Sequence, residues 1–174
     1  MQKRPDAVKF KDKTYTLVGP QLKPGDKAPE FTCLNGLDLV TLANTPSDKV
    51  RFFSVVPSLD TSVCSAQTKK FDETLASYKD RLACYTFSLD LPFAQKRFCT
   101  AENITNMQTL SDVHNHSFGQ NYGVLIEGLP LPLLARAIFV VGKDGKITYA
   151  EYVPEVPQHP NYEAALAAVK SAVG

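Results

Sequence analysis

The sequence predicts an α/β fold in which helices flank a mixed central sheet. Two features carry that prediction. Strand-like and helix-like runs alternate through the middle of the chain, and a β-hairpin followed by a helix closes it. At the N-terminus, Val8–Phe10 and Tyr15–Val18 alternate weakly around Lys11-Asp12-Lys13 and read as a hairpin, although the turn has no glycine. The stretch from Pro20 to Pro29 is irregular. Phe31–Leu34 and Asp38–Leu42 flank Asn35-Gly36, a strong turn signal, and form a second candidate hairpin.

Val50–Val56 is β-branched and aromatic, is bounded by Pro57, and reads as an interior strand. A helix then spans Cys64 to Tyr78, with Cys64, Phe71, Leu75 and Tyr78 on one face. Ala83–Ser88 returns as a strand. Asp90, with Pro92 in the first turn, opens a second helix towards Glu102. Arg136–Val141 and Ile147–Tyr152 surround a short Asp-Gly turn, and Tyr162–Val173 is a terminal helix. A thioredoxin-like fold with an extra N-terminal β-hairpin fits this order. No internal linker interrupts it, so residues 1–174 read as a single domain in which residues 1–19 are the hairpin extension.

Composition removes several function classes. Nineteen Lys and Arg against eighteen Asp and Glu leave a net charge of +1, which argues against a partner such as nucleic acid. No apolar run is long enough to cross a bilayer, so no membrane partner is expected. Met1–Asp6 lacks the apolar core of a secretion signal, and a cytoplasmic location is expected on that ground. His114 and His116 sit two apart with His159 far away, a poor metal face, and no Gly-rich phosphate loop is present. Neither metal nor cofactor is expected.

Four cysteines remain: Cys33, Cys64, Cys84 and Cys99. None forms a Cys-x-x-Cys pair, and the simplest reading of each is a small buried hydrophobe. Cys33 and Cys84 lie in strand-like apolar surroundings and keep that reading. Cys64 differs, because it stands in the first turn of a helix that follows a buried strand. Free backbone N–H groups and the positive dipole end favour a thiolate there. Thr61, three residues earlier, can bring its hydroxyl to a ligand of the sulfur from the same side. Pro57 offers no N–H and can shield the pocket from water. Arg136 heads an apolar strand, where an unpaired charge is costly. It is either a strand-end arginine that snorkels to water or a guanidinium beside Cys64.

The Pro57-x-x-x-Thr61-x-x-Cys64 spacing resembles the active-site motif of peroxiredoxins. Ser54–Thr61 resembles their thiol peroxidase branch, the atypical two-cysteine peroxiredoxins of bacteria. Asp90–Cys99, Leu134–Ala137 and Pro160–Leu166 are further matches to that branch, so the likeness spans nearly the whole chain. The resemblance implies a peroxidatic Cys64 that becomes a sulfenic acid and a resolving Cys99 that condenses with it to an intrachain disulfide. It also implies thioredoxin as reductant, hydrogen peroxide and organic hydroperoxides as substrates, and a homodimer. Pro57, Thr61 and Arg136 would shape and polarise the peroxide site. Two other readings stay open: a thiol–disulfide oxidoreductase acting on proteins, against which the absent Cys-x-x-Cys counts, and a non-enzymatic thioredoxin-like binding module.

Overall fold

The computed structural model describes residues 1–174. Its first hairpin pairs β1 (Lys3–Phe10) with β2 (Lys13–Val18). Lys11 takes a positive φ of 57° at the first turn position, a conformation that tight hairpins usually reserve for Gly or Asn. The second hairpin joins β3 (Thr32–Asn35) to β4 (Asp38–Thr41). Asn35 pairs with Asp38, so the turn is Gly36-Leu37, one residue later than the Asn-Gly signal predicts. Gly36 supplies the positive φ of 61°.

β5 (Val50–Val55) is buried at every position, as expected of a strand covered on both faces. It leads into α1 (Ser62–Thr74), which ends earlier than the periodicity predicts; Ala76–Tyr78 continues as a tighter 3₁₀ turn. β6 (Leu82–Ser88) precedes α2 (Pro92–Ala101), whose N-cap is Leu91 rather than Asp90. The Asp90 carboxylate is engaged elsewhere, as described below. β7 (Met107–Ser111) and the short α3 (Ser117–Asn121) have no counterpart among the sequence-predicted elements. Nor have β8 (Leu125–Glu127) and β9 (Leu133–Leu134). The closing hairpin, β10 (Ala137–Val141) and β11 (Ile147–Tyr152), and the helix α4 (Tyr162–Val173) fall where expected. Asn161 caps α4 by accepting from the Ala164 N–H at 3.0 Å.

The central sheet has seven strands in the order β11-β10-β5-β6-β7-β3-β4. β5, β6 and β7 run parallel, and the remaining pairs are antiparallel, which makes the sheet mixed. β1, β2, β8 and β9 form a separate four-stranded sheet. Alternation along the strands sends side chains to two cores. Phe52, Cys84, Met107 and Ile138 meet Phe71 of α1, Leu75 just after it and Val169 of α4 on one face. Phe53, Phe87 and Phe139 face the other way, where Phe31, Phe118 and Tyr122 join them. Phe118 stacks between Phe87 and Tyr122, with centroids 3.8 and 4.2 Å away. The second sheet closes this side through Val8, Leu17 and Ile126. A rigid sheet therefore holds the loop between β5 and α1 at its C-terminal end, the usual place for a site in such folds.

Candidate active site

The chain leaves β5 through Val56 and the buried Pro57, then turns at Ser58. The Thr61 N–H and hydroxyl both donate to the Ser58 carbonyl, at 3.1 and 3.0 Å. Thr61 is the N-cap of α1, yet its side chain makes no cap hydrogen bond. The first intrahelical bond is Ser65 N–H to the Thr61 carbonyl. The N–H groups of Ser62, Val63 and Cys64 thus belong to the unpaired first turn of the helix.

This turn borders a cavity of about 310 Å³. Its polar end is built from Thr61, Ser62 and Arg136, and its wall from Pro57, Val63, Phe10, Leu131, Leu133, Val156 and Pro157. Arg136 is not a snorkelling strand-end residue: it is 2% exposed, inside the protein. One terminal nitrogen donates to Gln67 Oε1 and the other to the Val156 carbonyl, both at 2.9 Å. Its Nε–H has no protein partner. Gln67, buried on α1 three residues after Cys64, in turn donates from Nε2 to Ser54 Oγ of β5 at 2.8 Å. Sequence reasoning missed Gln67. Its spacing from Cys64 was the available signal, since residues three apart share a helix face.

The structure brings Pro57, Thr61 and Arg136 to one cavity, whose lining reaches Val63, the residue before Cys64, and it gives the two candidate redox cysteines different surroundings. Cys64 is fully buried and packs with Val56 and Leu59, and Phe98 of α2 lies against that cluster. Cys99, the next residue after Phe98, is half-buried beside a different, open cavity of about 420 Å³ lined also by Lys96, Asp38 and Thr109. Its thiol is 3.9 Å from Thr109 Oγ1, and burial pushes its pKa up. Both thiols are free.

Cys33 and Cys84 keep the inert reading. Cys33 donates to Asp112 Oδ1 at 3.5 Å inside the aromatic core, and burial first, then the neighbouring carboxylate, pushes its pKa far up. Burial, aided by Asp72, pushes Cys84 up to about 12. Neither environment supports a thiolate. No group of three or more His, Cys, Asp or Glu side chains is placed to hold a metal ion. No helix is long and apolar enough to cross a membrane.

Comparison with known proteins identifies the family. Residues 23–166 match the Redoxin family. A thiol peroxidase of Listeria innocua is 54% identical over 95% of this chain and 98% of its own length. One from Bacillus subtilis is 48% identical, again covering 95% and 98%. Among solved structures, a peroxiredoxin-like protein from Aquifex aeolicus superposes with a TM-score of 0.88 at 42% identity, covering 96% of this chain and 97% of that one. With identity and coverage of this order, the chain belongs to the Redoxin family, on its thiol peroxidase branch.

Proposed function

We propose that this thiol peroxidase reduces hydroperoxides at Cys64 and closes its cycle through Cys99. One observation carries the assignment. The free first turn of the helix bearing Cys64, the Thr61 hydroxyl, Pro57 and a fully buried guanidinium converge on a single cavity. In the first step the Cys64 thiolate attacks the terminal oxygen of R–O–O–H. The O–O bond breaks, the sulfur becomes S–OH, and the leaving R–O⁻ takes a proton to depart as alcohol, or as water where R is hydrogen. Negative charge grows on that leaving oxygen. Arg136 and the unpaired N–H groups of the first turn stabilise it at the polar end of the cavity. Gln67 holds the guanidinium in place.

In the second step the Cys99 sulfur attacks Cys64 S–OH, water leaves, and an S–S bond forms. A dithiol reductant such as thioredoxin then exchanges with that bond and regenerates both thiols. Resolution protects the sulfur, because a second peroxide would carry the sulfenic acid to an irreversible sulfinic acid. The reading extends to a homodimer of single-domain chains working in the reducing cytoplasm, where such a disulfide is recycled. Peroxide consumption by wild type and Cys64→Ser, with a disulfide map after one equivalent of peroxide, tests the assignment. Loss of activity in the variant and a Cys64–Cys99 bond in the wild type are expected. Equal activity, or a Cys33–Cys84 bond, overturns it.

A further inference from the structure

The two cysteine-bearing segments are joined by a polar network that the chemistry above does not use. The Asp90 carboxylate stands just before α2 and reaches the loop that precedes α1. Oδ1 accepts from the Ser58 hydroxyl and Oδ2 from the Leu59 N–H, each at 2.8 Å. Oδ2 also accepts from the Ser88 hydroxyl at 2.7 Å. Ser88 Oγ accepts from Gln95 Nε2 at 3.0 Å, and Gln95 is a buried residue one helical turn before Cys99. A continuous chain of hydrogen bonds therefore runs from the body of α2 to the loop that shapes the Cys64 site. Beside it lies an apolar contact between the same two elements, with Phe98 packed against the Leu59 and Cys64 cluster.

This arrangement has two consequences. It holds Ser58 and Leu59 where the Ser58 carbonyl can fix Thr61, which builds the peroxide cavity. It also keeps Cys64 packed against Phe98 while Cys99 lies beside a separate cavity, so the two sulfurs share no surface while the contact holds. We infer that Asp90 is a positioning residue, a latch whose closed state favours attack on peroxide and whose release permits condensation with Cys99. Charge-assisted hydrogen bonds are the strong kind, and here one carboxylate holds both the loop and the strand end. The inference rests on the Cys64–Cys99 pairing proposed above.

The latch is tested by resolving the two steps in a rapid-mixing experiment. Hydrogen peroxide consumption reports the first step, and disulfide formation the second. Asp90→Asn keeps the shape but cannot accept from both sides, because its Nδ2 is a donor. Disulfide formation is expected to rise on the order of tenfold, while peroxide attack slows by a similar factor. At excess peroxide, less Cys64 sulfinic acid accumulates. Ser58→Ala deletes one of the bonds and shifts both rates in the same senses by a smaller factor, which keeps the test open if Asp90→Asn folds poorly. General destabilisation would slow both steps together. Rates that fall together, or a disulfide step that does not rise, overturn the latch. A wild-type protein with no Cys64–Cys99 bond overturns the pairing itself, and the latch with it.

Discussion

Arg136 shows how a single charged residue is tolerated inside an apolar wall. Burying an unpaired guanidinium is costly, and here Gln67 and the Val156 carbonyl offset that cost with two 2.9 Å hydrogen bonds. Gln67 is itself anchored by Ser54, so the orientation of the guanidinium is referred back to the central strand. Gln67→Leu removes both ties without removing the charge. Second-order rate constants for hydrogen peroxide are expected to fall roughly 10- to 100-fold, because a hydrogen bond to a charged group is worth about 1.5–3 kcal/mol and each 1.4 kcal/mol is a factor of ten. An unchanged rate constant in a folded variant would show that Arg136 needs no such support. Pro57, Thr61 and Cys64 could be picked out as candidates in the sequence because their types and spacing carry meaning on their own, while Arg136 needed the resemblance of Leu134–Ala137 to decide between its two readings. Gln67 offered only its spacing from Cys64, and Ser54 and Asp90 offered nothing, because a hydroxyl and a carboxylate gain their roles only from partners distant in the chain.

At the scale of elements, helices and hairpins with local signals were legible, and strands fixed by tertiary context were not. The α4 helix declares its boundaries through an alanine-rich face and an Asn cap, and β5 through its unbroken apolar run. β7 does neither. Met107 and Leu110 fall on opposite faces and belong to different cores, while Gln108 is exposed, so Met-Gln-Thr-Leu-Ser shows no period of two. What places β7 is a contact from afar. The Asp72 carboxylate on α1 accepts from the N–H groups of Thr105, Asn106 and Met107, at 3.3, 2.7 and 2.9 Å. The Asn106 side chain returns a bond to the Asp72 carbonyl. This clip fastens the later half of α1 to the segment linking α2 with β7. Asp72→Ala leaves three backbone donors without their acceptor and is expected to destabilise the protein by about 2–3 kcal/mol. A denaturant midpoint within error of wild type would count against the clip.

For the molecule as a whole, the distribution of contacts assigns different work to different parts. Strands β5, β6 and β10 are enclosed between two apolar cores, and their side chains are almost wholly buried. The start of α1 and the whole of α2 are held more lightly. The first has no side-chain cap, and the second buries only Pro92 and Gln95 fully while Leu91 and Phe93 stay exposed. Local opening draws on segments with few buried contacts, and the Asp72 clip confines it to the turns N-terminal to that residue. Formation of a Cys64–Cys99 bond should therefore undo the ends of two helices and leave the sheet intact. Amide hydrogen exchange of the reduced and peroxide-oxidised protein measures this directly. Protection is expected to drop across residues 59–68 and 91–101 on oxidation and to remain in 50–55, 82–88 and 137–141. If protection falls in the central strands as well, oxidation loosens the entire fold, and a rigid scaffold with two yielding helix ends is the wrong description. If it falls nowhere, the two sulfurs meet without any opening, and the helix ends are as rigid as the sheet that carries them.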